Sequence, residues 1–187
     1  MIFQILLIAV IVLVPILDQI TKAAVMAATA QGEKGIDVIP GVLRWSIVRN
    51  SGASMGLWAD NLAGRIFFMV ASVLGIALIA AVILGFRKRL SVSRPCAVFL
   101  AMVAGGGIGN MIDRVFYGDT LFMGEVVDFI DFCAFPRIWH WTFNLADACI
   151  CVGIFLFFVF AIAEEICRIR NEKKAKAEEE TQTEDGK

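Results

Sequence analysis

Residues 96–114 read CAVFLAMVAGGGIGNMIDR. The run is apolar from Cys96 to about Ile112, and polar residues gather at its far end as Asn110, Asp113 and Arg114. A helix needs roughly 20 such residues to cross the ~30 Å hydrocarbon core of a bilayer. With Pro95 placed where a first helical turn tolerates proline, the stretch predicts a membrane span. Three further runs read the same way, over about residues 2–28, 62–86 and 144–163, the first broken near its end by Asp18 and Lys22. Composition agrees, since 59% of the 187 residues are hydrophobic and mean hydropathy is +0.77, whereas a water-soluble domain carries about 45–50% apolar residues. The fold expected is a mostly α membrane protein with four transmembrane helices, residues 1–167 forming a single polytopic domain. The first run lacks a basic segment before it and a small-x-small site after it, so it reads as a span and not as a cleaved signal peptide.

Charge sets the orientation. Arg87, Lys88, Arg89 and Arg94 crowd the short link between the second and third runs, and Arg168, Arg170, Lys173, Lys174 and Lys176 follow the fourth. Basic residues favour the cytoplasmic side, which places both termini there and the loops of about 29–61 and 113–143 outside. Lys34, Arg44 and Arg49 in the first outer loop dilute that bias. The tail 168–187 has no apolar period and is expected to be a frayed helix passing into disorder. In the first outer loop, LRWSIV (43–48) is a β-type run followed by the turn-rich NSGAS (50–54), which predicts a small extracytoplasmic β-rich cradle. Trp45, Trp58, Trp139 and Trp141 suit an interfacial aromatic belt. A net charge of −1 gives no footprint for nucleic acid. The five cysteines form no C-x-x-C pair, so neither a disulfide framework nor a metal site is expected, and no cofactor is implied.

Ionisable residues at membrane depth are costly and mark candidate sites. Asp18 and Lys22 in DQITK stand i, i+4 on one helix face and read as a structural ion pair. RNSGAS (49–54) sets Asn50 and Ser51 before a tight turn. In GNMIDR, Asn110 and Arg114 share a face, with Asp113 adjacent, while Gly105, Gly106, Gly107 and Gly109 permit close helix packing. In FNLADA, Asn144 is a good N-cap and Asp147 falls at N3, where the helix end stabilises negative charge. Two further carboxylates lie in VVDFIDF (126–132), so Asp128 or Asp131 can meet Asp147 at one point. Two carboxylates in a low-dielectric site share a proton, and such a pair activates water and protonates a leaving amine. Asp147 is expected to be the ionised member and Asp128 the protonated one; Asp131 remains the rival on this reading. His140 is the only histidine, which excludes an H-E-x-x-H zinc site.

In chain order, DQITK (18–22), RNSGASMG (49–56), GGGIGNMIDR (105–114), EVVDFIDF (125–132) and FNLADACICVG (143–153) closely resemble bacterial lipoprotein signal peptidase, signal peptidase II. The resemblance implies a four-helix aspartyl peptidase of the bacterial inner membrane. It would remove signal peptides from prolipoproteins by cutting before a diacylglyceryl-modified cysteine, without a metal, and be inhibited by globomycin-type peptides. It implies Asp128 and Asp147 as the catalytic pair, which favours Asp128 over Asp131. Asn50, Asn110, Arg114 and Asn144 would line the site, and Asp18 and Lys22 would be structural. Val127, Phe129 and Phe143 would exclude water. The expected partners are the lipidated substrate and membrane lipid, with a monomer as the working unit. One departure stands out: FYGDTLFMGE (116–125) lengthens the link before Asp128, beside the site. The competing reading is a small ion or proton translocator relaying through Asp18, Lys22, Asp128 and Asp147, which requires carboxylates spread through the membrane depth.

Overall fold

The computed structural model describes residues 1–29, 35–51, 62–87, 89–134, 139 and 141–185. Helix α1 (Ile2–Thr29) is followed by strands β1 (Ile36–Ile39) and β2 (Leu43–Asn50). Helix α2 (Leu62–Ala80) runs into a π-helical segment, Ala81–Phe86, and helix α3 covers Arg94–Phe116. Strands β3 (Val126–Asp131) and β4 (Thr142–Phe143) precede helix α4 (Leu145–Asp185). By length and composition α1, α3 and the first 32 residues of α4 can cross a membrane; the apolar stretch Met69–Gly85 is shorter. Large apolar side chains such as Leu17, Leu74, Phe155 and Phe158 face outward and exposed, a surface that only lipid covers favourably.

Helix α3 is the centre, packing against α1, α2 and α4. Its glycines make that possible. A Cβ on Gly106 would stand 2.5 Å from the Ala146 carbonyl oxygen of α4, and one on Gly109 would stand 2.9 Å from an Asp18 carboxylate oxygen of α1. At the other end of the bundle Leu7, Ile83, Ala97 and Ala101 form a buried core cluster joining α1, the π-helical segment and α3.

The four strands form one antiparallel sheet in the order β1-β2-β3-β4. Sequence reading anticipated the β1–β2 half. It did not anticipate that VVDFID is itself a strand, paired to β2 with Val48 opposite Asp128 and Asn50 opposite Val126. The long link also has a definite path. Backbone N–H groups of Tyr117, Phe122 and Gly124 donate to the carbonyls of Asp113, Val115 and Arg114 (2.8, 3.1 and 2.9 Å), so the link satisfies the orphan acceptors at the end of α3. Its tip, Leu121 and Phe122, is exposed.

The helical part of the tail is long: α4 runs on to Asp185. The tail lacks an apolar face but is built of Ala, Glu, Lys and Arg, which are strong helix formers. Arg168 adds ion pairs to Glu165 at 2.6 Å and Glu172 at 3.9 Å, of the i, i+3 and i, i+4 type that support exposed helices. Gly52, Trp58 and His140 lie outside the described residues.

Candidate active site

The C-terminal end of α1, the C-terminal end of α3, the start of α4 and strand β3 meet at one end of the bundle. Asn144 organises the meeting. It is the N-cap of α4: its Oδ1 accepts from the Asp147 backbone N–H at 2.8 Å, while an Asp147 carboxylate oxygen accepts from the Asn144 backbone N–H at 3.4 Å. This is a reciprocal capping box. The acceptor role fixes which way the Asn144 amide points, so its Nδ2 faces Asp128 Oδ1 at 2.7 Å, Asn110 Oδ1 at 3.0 Å and the Val127 carbonyl at 3.3 Å. Asn110 in turn donates from Nδ2 to Asp147 Oδ1 at 2.7 Å. Asn50, at the end of β2, donates to the other oxygen of Asp128 at 3.2 Å. Two carboxylates are thus tied together through three asparagines.

The two differ in setting. Asp128 is 3% exposed, and its carboxyl is pushed up to about 7, first by burial and then by the neighbouring charge of Asp147. Hydrogen bonds from Asn50 and Asn144 and the charge of Lys22 oppose that rise without cancelling it. Asp147 sits at N3 of a long helix, where the free amides favour an anion. Arg114 donates to its own helix at the Asn110 carbonyl, 3.3 Å, and turns its charge toward Asp147, Asp113 and Asp128.

Beneath the pair lies a second polar layer, wholly buried. Lys22 is flanked by Asp18 and Asp113, each at 2.7 Å, and all three are 0% exposed. Its third proton faces Asn110 Oδ1 at 3.4 Å. Asp18 also accepts from the Ala146 backbone N–H at 2.9 Å, and Asp113 from Gln19 at 2.6 Å and the Val127 backbone N–H at 2.9 Å. No buried side-chain nitrogen or oxygen among the described residues lacks a partner. The expected Asp18–Lys22 pair is therefore a triad, and reading along the chain missed its third member. Asp113 reaches Lys22 from another helix, a contact that no local spacing reveals.

Asp131 stands apart. Residues of opposite parity on a strand point to opposite faces, so Asp128 faces the helices while Asp131 pairs in register with Arg44 and contacts Cys133 Sγ at 3.6 Å. Among the described residues no group of three or more His, Cys, Asp or Glu is placed to hold a metal ion.

The chain is similar to known proteins. A family model described as signal peptidase (SPase) II matches residues 10–163. The chain belongs to this family. A lipoprotein signal peptidase of Geobacter sulfurreducens is 37% identical over 151 residues, covering 80% of this chain and 87% of that one. Another, from Pelotomaculum thermopropionicum, is 39% identical over 155 residues, covering 82% and 88%. A solved bacterial membrane enzyme, determined in meso at 2.3 Å resolution, superposes with a TM-score of 0.68 at 27% identity, over 85% of this chain and 88% of that chain. The family assignment makes the chain a multi-pass membrane peptidase, as the motifs and the apolar helices foretold.

Proposed function

We propose that Asp128 and Asp147 are the catalytic dyad with which this chain removes signal peptides from prolipoproteins, cutting before the lipidated cysteine. The reaction class follows from the family. The observation that carries the dyad is the coupling of a buried, proton-retaining Asp128 to a helix-capping Asp147 through the amide of Asn144. In this reading a water molecule lies between the two carboxyl groups. Asp147 takes a proton from the water as it attacks the scissile carbonyl, and Asp128 gives its proton to the carbonyl oxygen. Collapse of the tetrahedral intermediate breaks the C–N bond, and the amine of the new N-terminal cysteine leaves with a proton from the dyad. Asn50, Asn110 and Asn144 hold the carboxyl groups in register, and the Arg114 charge faces both of them. Asp18 and Lys22 are structural in this scheme.

The site opens at the end of the bundle opposite the arginine-rich link. By the basic-residue rule that end is the outer face of the bacterial inner membrane, where a substrate anchored by acyl chains arrives from the bilayer. The test is cleavage of a diacylglyceryl-modified prolipoprotein by purified wild type and by Asp128→Asn, Asp147→Asn and Asp131→Asn. Loss of cleavage in the first two alone, with folding retained, supports the dyad; cleavage persisting in either of them overturns it.

A further inference from the structure

The basic link at the end of the bundle away from the dyad has more order than a positive-inside signal requires. Two of its guanidinium groups share one aromatic ring. The Arg87 group lies 5.1 Å and the Arg94 group 5.6 Å from the centre of the Phe3 ring. Phe3 belongs to α1 and packs against the buried cluster of Leu7, Ile83, Ala97 and Ala101, so the ring that gathers the two cations is anchored in the bundle. The chain between the arginines closes on itself. The Val92 N–H donates to the Arg87 carbonyl at 3.0 Å, and Arg87 Nη1 donates back to the Val92 carbonyl at 3.1 Å. Ser91 takes a left-handed conformation (φ 53°) within that closed turn.

Two like charges held at one ring repel each other, and that cost calls for an anion. Among the described residues neither arginine forms an ion pair. Glu164, on the facing helix, accepts from Cys96 Sγ at 3.9 Å and pairs with neither guanidinium. The start of α3 adds to the positive field: Ser93 is its N-cap, accepting from the Cys96 N–H at 3.3 Å, and Arg94 opens the helix. All of this lies at the end of the apolar helices that carries the basic residues, the end that the basic-residue rule assigns to the inner headgroups.

We propose that Arg87, Arg94 and Phe3 form a binding site for the phosphate of an anionic phospholipid in the leaflet opposite the dyad. The guanidiniums meet the phosphate oxygens in the forked geometry they suit, and the acyl chains run down the exposed apolar flank of α1, where Ile2, Ile5 and Leu6 face outward. A lipid is favoured over a free anion because the cations border lipid-facing apolar surface and not an enclosed polar cavity.

The test uses the full chain purified in detergent and exchanged into an equimolar mixture of phosphatidylglycerol and phosphatidylcholine, with retained lipid counted by native mass spectrometry. Wild type is expected to hold the anionic lipid with roughly tenfold or greater enrichment, from about two favourable Arg contacts. The Arg87→Gln/Arg94→Gln variant should lose the enrichment, and Phe3→Leu should weaken it, while both still cleave substrate. Equal retention of the two lipids by wild type, or full enrichment persisting in the double glutamine variant, overturns the site. Thermal stabilisation by inorganic phosphate alone that matches that given by phosphatidylglycerol overturns the lipid as its occupant.

Discussion

Replacing Asp128 by Asn separates the two things its carboxyl does. Lifting a carboxyl from 3.8 to about 7 corresponds to about 4 kcal/mol of preference for the protonated form. The sign is that of a raised acid: the contribution to stability is fully present below the unfolded value, near pH 4, and is lost as pH rises to 7. Wild type should therefore weaken by up to about 4 kcal/mol across that window, beyond whatever trend the other groups impose. The asparagine cannot ionise, but it carries a cost of its own. Asn50 and Asn144 both donate to Asp128, one to each oxygen, so the new NH₂ must face a donor, a loss of about 1–3 kcal/mol. Asp128→Asn should thus be the less stable protein at pH 4 and the more stable at pH 8.5. Unfolding midpoints in mixed detergent micelles across pH 4–9, with cleavage measured on the same samples, read both effects. Cleavage should fall by at least about a hundredfold in the variant, and in wild type it should decline above pH 7 as Asp128 loses its proton. Parallel stability profiles for the two proteins would refute the raised pKa of Asp128, and an active variant would refute its role.

Other perturbations follow from the same geometry. Lys22→Met leaves Asp18 and Asp113 buried without their cation and should cost about 3–5 kcal/mol, seen as loss of folded protein on size-exclusion in detergent; Asp18→Asn/Lys22→Met/Asp113→Asn together should recover much of it. Gly106→Ala drives a methyl into the Ala146 carbonyl and Ile150 and should lower both stability and cleavage. Gly107→Ala meets only the side-chain tip of Ile76 at 3.1 Å and should be tolerated within about 1 kcal/mol; equal effects from the two would show that α3–α4 spacing does not set the site. Asp131→Asn, on the opposite face of β3, should cleave at the wild-type rate in the lipoprotein assay.

The helices were legible because span length and hydropathy are local properties, and Asn144 with Asp147 was legible because an N-cap and its N3 partner are three residues apart. Asp128 against Asp131 was not resolved from the residues alone, since Val, Phe and Ile surround both. Strand parity separates them at once, but VVDFID announces itself as a strand only when β2 lies beside it, and that pairing joins residues far apart in sequence. The triad failed for the same reason. Asp18 and Lys22 are one helical turn apart, whereas Asp113 arrives from another helix through glycine-permitted contact.

The buried triad explains why a peptidase of this size places its acid where it does. Both carboxylates of the proposed dyad are linked to Lys22 through short chains of contacts. Through Asn110 the lysine reaches Asp147, and through Asp113 and the Val127 N–H it reaches the strand that carries Asp128. A fixed positive charge below the pair limits how far burial can raise Asp128, and Lys22 is indeed among the influences that lower it. An acid buried without that charge would hold its proton too firmly to release it in a catalytic cycle; one in water would lose it before the substrate arrived. The described buried aspartates and lysine, Asp18, Lys22, Asp113 and Asp128, all gather at this one end. A relay across the membrane needs steps through its whole depth, while a proton shared between two carboxyl groups needs only this layer.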